Sequence, residues 1–86
     1  MRNVTLADDS LKQLNHWLEI DRKKLSRILR LFEEIKRTPF DGTGKPEPLK
    51  GNLKGKWSRR IDNEHRIVYA VTDQEIIVYS IMGHYD

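Results

Sequence analysis

Glu47, His84 and the arginines and lysines between them in the sequence, Arg60 and Arg66 among them, have the side-chain types needed to cleave RNA through its own 2′-hydroxyl group. That reaction needs a base to take the 2′ proton and an acid to protonate the 5′ leaving oxygen. It also needs cations to hold the charge that builds on the phosphate. A metal ion is not required. Glu47 is the base candidate. It stands between Pro46 and Pro48, whose rings fix φ and stiffen the segment, and Lys45 and Lys50 flank it with positive charge. His84 is the acid candidate, because histidine exchanges protons near neutral pH. Arg60 and Arg66 are bidentate phosphate partners by type. Tyr85, beside His84, can stack on a base or donate a hydrogen bond. Taken singly, Glu47 reads first as a solvated loop carboxylate, and His84 reads equally as a surface histidine. It is the set that suggests RNA chemistry.

Other polar residues carry less. His16, beside Trp17 in a helical pattern, reads as a surface or boundary residue, and His65, after a turn, reads as structural. The three histidines are scattered without metal-ligand spacing, so neither a metal nor another cofactor is expected. Ser10, Ser26, Ser58 and Ser80 sit in no nucleophile motif. The stretch Asp41-Gly42-Thr43-Gly44-Lys45-Pro46 is a loop, and it lacks the GxxxxGK[ST] spacing of a phosphate-cradling loop. Trp57 reads as core rather than as a stacking platform, since large aromatics dominate small cores.

Eighty-six residues are enough for one domain with a small core, so residues 1–86 are expected to fold as a single unit. There is no cysteine, which excludes a disulfide frame, a thiol nucleophile and cysteine-ligated zinc. No apolar run is long enough to span a bilayer, and Met1-Arg2-Asn3-Val4-Thr5 lacks the apolar core of a signal peptide. A cytoplasmic protein with no membrane partner is the expectation. The formal charge of +3 is mild, but its distribution is uneven. From Lys45 to Arg60 the cations Lys45, Lys50, Lys54, Lys56, Arg59 and Arg60 face one carboxylate, Glu47, and Arg66 follows. Such a tract is either a phosphate-binding face or merely a solvated loop.

The elements that must position these residues can be read from periodicity. Val4-Thr5-Leu6 is a short strand. Asp8, Asp9 and Ser10 offer a helix N-terminus, followed by Leu11, Leu14, Trp17 and Leu18 at helical spacing. Asp21 caps a second helix with the apolar stripe Leu25, Ile28, Leu29, Phe32 and Ile35, and Pro39 stops it. The two helices form a hairpin around Ile20-Asp21-Arg22. Beyond the loop the period changes to two. Trp57 to Ile61, Arg66 to Val71 and Ile76 to Met82 read as strands, separated by turns at Asp62-Asn63-Glu64 and Thr72-Asp73-Gln74. Apolar residues on both faces make the last strand an inner one that anchors the chain end. The fold class is α+β, a compact antiparallel sheet with two N-terminal helices packed on one face.

The segments Arg37-Thr38-Pro39-Phe40, Gly44-Lys45-Pro46-Glu47-Pro48-Leu49-Lys50, Trp57-Ser58-Arg59-Arg60-Ile61, Glu64 to Asp73 and His84-Tyr85 occur in one order and spacing. In these the chain resembles the YoeB toxins of the RelE superfamily, bacterial toxin–antitoxin endoribonucleases. The resemblance is close from about Arg37 to Tyr85 and extends to the helical half in pattern and length. It implies a RelE-like, microbial-RNase-like domain and metal-independent cleavage of messenger RNA in the ribosomal A site, which inhibits translation. By position it assigns the base to Glu47, the acid to His84 and the phosphate-stabilising arginine to Arg66. Lys50, Arg60 and Tyr85 match supporting substrate-binding residues. The implied partners are the ribosome, messenger RNA, a YefM/Phd-like antitoxin with an acidic segment, and a second copy in a homodimer. Asp86 departs from the family by extending past the usual terminal tyrosine, and brings two carboxylates to that end.

Two other readings compete. A non-catalytic basic RNA- or DNA-binding module would need the cations but has no use for a base and an acid. A scaffold whose helices mainly hold an antitoxin is compatible with the toxin reading.

Overall fold

The computed structural model describes residues 2–83, so the expectations for His84, Tyr85 and Asp86 lie outside the described residues. The chain runs β1 (Asn3–Leu6), α1 (Ser10–Ile20), α2 (Arg22–Arg37), β2 (Glu47–Pro48), a 3₁₀ turn (Gly51–Leu53), β3 (Trp57–Arg60), β4 (Arg66–Val71) and β5 (Glu75–Ser80). The strands form one sheet in the order β1-β5-β4-β3-β2. The β3–β4–β5 meander is antiparallel, and β2 adds antiparallel to β3. β1 departs from the expected all-antiparallel pattern by pairing parallel to β5. No tight turn sets its direction, because the chain leaves β1 for the two helices rather than for a neighbouring strand.

Asp21 caps α2 by accepting the Lys24 N–H at 3.0 Å, and the helix ends at Arg37, two residues before Pro39. Both helices pack against the β1–β5 side of the sheet. The core joins Trp17 of α1 and Ile28, Leu31, Phe32 and Ile35 of α2 to Ile67, Tyr69, Ile76 and Val78 of the sheet. Leu29 is not in it. The buried stripe of α2 is 28, 31, 32, 35, the i, i+3, i+4, i+7 spacing of one helix face, and Leu29 lies one residue off that stripe and is 47% exposed. The expected inner position of the last strand is observed, since β5 lies between β1 and β4.

Candidate active site

Alternation along β3 and β4 divides the functional residues between two faces. Arg59, Ile67 and Tyr69 turn towards the helices. Arg60 and Arg66 are direct cross-strand partners and therefore share the other face. Their sharing a face depends on the turn at Asp62-Asn63-Glu64, which alternation within either strand does not determine. Glu47 pairs with Ser58, which in turn pairs with Val68, two residues along β4 from Arg66. β2 is only two residues long, and its proline is tolerated because an edge strand can spare a backbone donor. This arrangement brings Glu47 Oε1 to 3.8 Å from Arg66 Nη1. Base candidate and phosphate candidate thus meet on the face away from the helices. Arg66 is half-buried and Glu47 is exposed.

The turn that delivers Arg66 is braced from below. Asp62 Oδ1 accepts the N–H groups of Glu64 (2.8 Å) and His65 (2.6 Å), while Lys24 Nζ of α2 lies 2.8 Å from Asp62 Oδ2. Burial pushes the Asp62 carboxyl up, but Lys24 and the two N–H groups outweigh it and hold the group at about 2. Arg27 of α2 adds a bond from Nε to the Ile61 carbonyl at 2.5 Å.

The chain end returns to the same place. Arg66 N–H donates to the Gly83 carbonyl at 2.9 Å, and Gly83 N–H donates to His65 Nδ1 at 2.9 Å. Gly83 is the residue before His84 in the sequence, so the described chain ends beside the Glu47–Arg66 pair. The positions of His84 and Tyr85 fall outside the described residues. His65 is structural, as its place after a turn suggested, and His16 is exposed on α1. Trp57 is partly buried against the core, its ring 4.9 Å from that of Phe40.

The basic tract is smaller at the surface than the sequence implies. Arg59 is fully buried. Its Nη2 donates to the carbonyls of Thr38 and Asp41 at 2.8 Å each, and its Nη1 lies 3.6 Å from Glu34 Oε1. Glu34 Oε1 also accepts the Thr43 N–H at 2.7 Å, and that bond holds the Glu34 carboxyl below its ordinary value. Tyr69 Oη donates to the Pro39 carbonyl at 2.6 Å. Arg59 is therefore the anchor of the loop leading to Glu47, not a phosphate ligand. Period-two alternation along Trp57 to Ile61 puts it on the face opposite Arg60, and this is the signal in the sequence for its burial. Lys50 is exposed and Arg60 half-buried. Neither has an ion-pair partner among the described residues. Lys56 Nζ lies 4.0 Å from the Tyr79 ring centroid.

This geometry occurs in a chain whose residues 6–85 match the family model described as YoeB-like toxin of bacterial type II toxin–antitoxin system. The chain is 51% identical to Toxin YoeB of Mycobacterium bovis over 85 residues, covering 99% of this chain and 100% of that one. The YoeB dimer from Staphylococcus aureus superposes with a TM-score of 0.90 at 39% identity, covering 98% of each chain. The YoeB–YefM complex from Staphylococcus aureus gives 0.88 at 37% identity, covering 99% of each. Sequence and fold agree, and the chain belongs to the YoeB toxin family of bacterial type II toxin–antitoxin systems.

Proposed function

We propose that the chain is an endoribonuclease toxin that cuts messenger RNA in the ribosomal A site and so stops translation. One observation carries this reading: the Glu47 carboxylate and the Arg66 guanidinium stand 3.8 Å apart on the sheet face away from the helices, and the Arg66 N–H holds the carbonyl of Gly83, the residue before His84 in the sequence. The two groups suit adjacent parts of one nucleotide, the 2′-hydroxyl and the phosphate beside it. At 3.8 Å they do not form the short bidentate fork of a structural ion pair. An incoming phosphate can therefore take the guanidinium and release the carboxylate to act as base.

In this reaction Glu47 removes the 2′ proton and the 2′-oxygen attacks phosphorus. Arg66 holds the charge on the phosphate oxygens, and His84 protonates the departing 5′-oxygen. The products are a 2′,3′-cyclic phosphate and a 5′-hydroxyl. Lys50, Arg60 and Tyr85 hold the RNA. Base, acid and cation are all supplied by the chain, so the chemistry proceeds without a metal. The staphylococcal complex with YefM supports an antitoxin of that kind as partner here, and the staphylococcal dimer supports a homodimer. An acidic antitoxin segment would be drawn to the cations around Glu47.

The test is to map product ends on translated messenger RNA with the parent protein and with Glu47→Ala and His84→Ala. Cleavage by the parent and its loss in both folded variants is the expected result. Undiminished cleavage by either variant removes that residue from the mechanism. RNA binding without cleavage by the parent would instead favour a binding module.

A further inference from the structure

A terminal strand normally frays, yet the residues just before His84 are held by four separate groups. Gln13 Oε1 of α1 accepts the Ile81 N–H at 2.7 Å. Trp17 Nε1, on the same helix, donates to the Ile81 carbonyl at 2.9 Å. His65 Nδ1 and the Arg66 N–H take the two backbone groups of Gly83, each at 2.9 Å. His65 is the one side chain among the described residues bonded to Gly83. Its ring is itself fixed, because Trp17 meets it edge-on with ring centroids 4.9 Å apart and planes at 89°. An Nδ1 that accepts a hydrogen bond carries no proton, so the ring proton sits on Nε2. On that side Glu64 Oε2 stands 3.7 Å away.

We propose that His65 is a positioning residue: in its Nε2–H form it holds the Gly83 amide and so fixes the backbone immediately before His84 in the sequence. The inference rests on the proposed role of His84 as acid. A general acid must meet its oxygen at hydrogen-bond distance, and a misplacement of about 1 Å can cost roughly 100-fold in rate. The hydrogen bond at Gly83 lies one residue from His84 in the sequence. Gln13 and Trp17 secure the chain two residues earlier, at Ile81, while at Gly83 the Arg66 N–H holds the carbonyl and His65 holds the amide.

Two variants separate the bond from the ring. His65→Phe keeps the aromatic edge against Trp17 but cannot accept the Gly83 N–H. His65→Asn loses the ring but presents an oxygen near the Nδ1 position. Amide exchange of Gly83 is measured by NMR in the free protein, and kcat and KM are measured on programmed ribosomes. His65→Phe is expected to speed Gly83 exchange and to lower kcat by roughly 10- to 100-fold, with KM unchanged. His65→Asn should restore both Gly83 protection and most of kcat. If His65→Phe frees Gly83 but turns over at the parent rate, or if His65→Asn protects Gly83 yet stays as slow as His65→Phe, the positioning role is wrong. Should His65→Phe not fold, the nitrogen-15 spectrum of the parent still decides, since a protonated Nδ1 overturns the proposal. His84→Ala is the control for the underlying reading. Parent-rate cleavage by that variant removes the acid role, while the Gly83 exchange still reports whether His65 holds the chain.

Discussion

At the residue scale, the decisive pair is Glu47 and Arg66, and its geometry suits turnover rather than stability. Glu47 is 60% exposed, and an ion pair in such water contributes little to folding. Glu47→Gln should therefore melt with the parent but cleave about 10²- to 10⁴-fold more slowly, the usual scale for losing a general base. Melting curves and single-turnover cleavage on programmed ribosomes check the two halves. Arg66→Lys keeps the charge but not the planar fork that the proposed grip on two phosphate oxygens needs. It should lose kcat, while Lys50→Ala should mainly weaken binding, with a smaller salt dependence than the parent. Full turnover by Arg66→Lys would mean that Arg66 acts only as a point charge.

At the scale of elements, the site depends on two braced connections. The first is the loop from α2 to β2. Buried Arg59 bonds two of its carbonyls, and Gly44 passes so close that a Cβ there would meet Arg59 Cγ at 2.6 Å and the Arg60 carbonyl at 2.7 Å, with φ at +91°. Arg59→Ala leaves those carbonyls without their donor and Glu34 without its guanidinium. It should cost about 3–5 kcal/mol in urea unfolding, the scale for breaking a buried ionic contact. Arg60→Ala, on the open face, should unfold like the parent. The second connection is the β3–β4 turn tied by Asp62. Because the Asp62 carboxyl is held at about 2 against an ordinary 3.8, its contribution is fully present above pH 4 and is lost as pH falls towards 2. That contribution is on the order of 1–2 kcal/mol after allowing for partial exposure. Asp62→Asn should remove it and flatten the acid limb of a stability–pH curve. Much of this was legible in the sequence. Asp21, Pro39 and the two turn clusters set the element ends by local chemistry, and period-two alternation put Arg59 and Arg60 on opposite faces. The parallel pairing of β1 was not legible, because it depends on which sheet edge lies under the helices and not on any local turn. Nor was the seat of Gly83, since His65, Gln13 and Trp17 converge on Ile81 and Gly83 only after the helices have packed on the sheet.

At the scale of the whole molecule, the helices pack on one face of the sheet, and Glu47, Arg60 and Arg66 lie on the other, where the proposed reaction places the RNA. If an acidic antitoxin segment binds the same face, as proposed, hydrogen exchange on a toxin–antitoxin complex should show protection within the Lys45–Arg66 surface. Unchanged exchange there would place inhibition elsewhere. The central claim is that the chain cuts RNA by attack of the 2′-hydroxyl. Its most direct test is a programmed ribosome carrying messenger RNA with a single deoxyribose at the cleaved nucleotide, beside the all-ribose message. The all-ribose message should yield a 2′,3′-cyclic phosphate, or the monophosphate to which it opens, and a 5′-hydroxyl, and the deoxyribose message should stay intact. Cleavage of the deoxyribose message, or products bearing a 5′-phosphate, would contradict the mechanism.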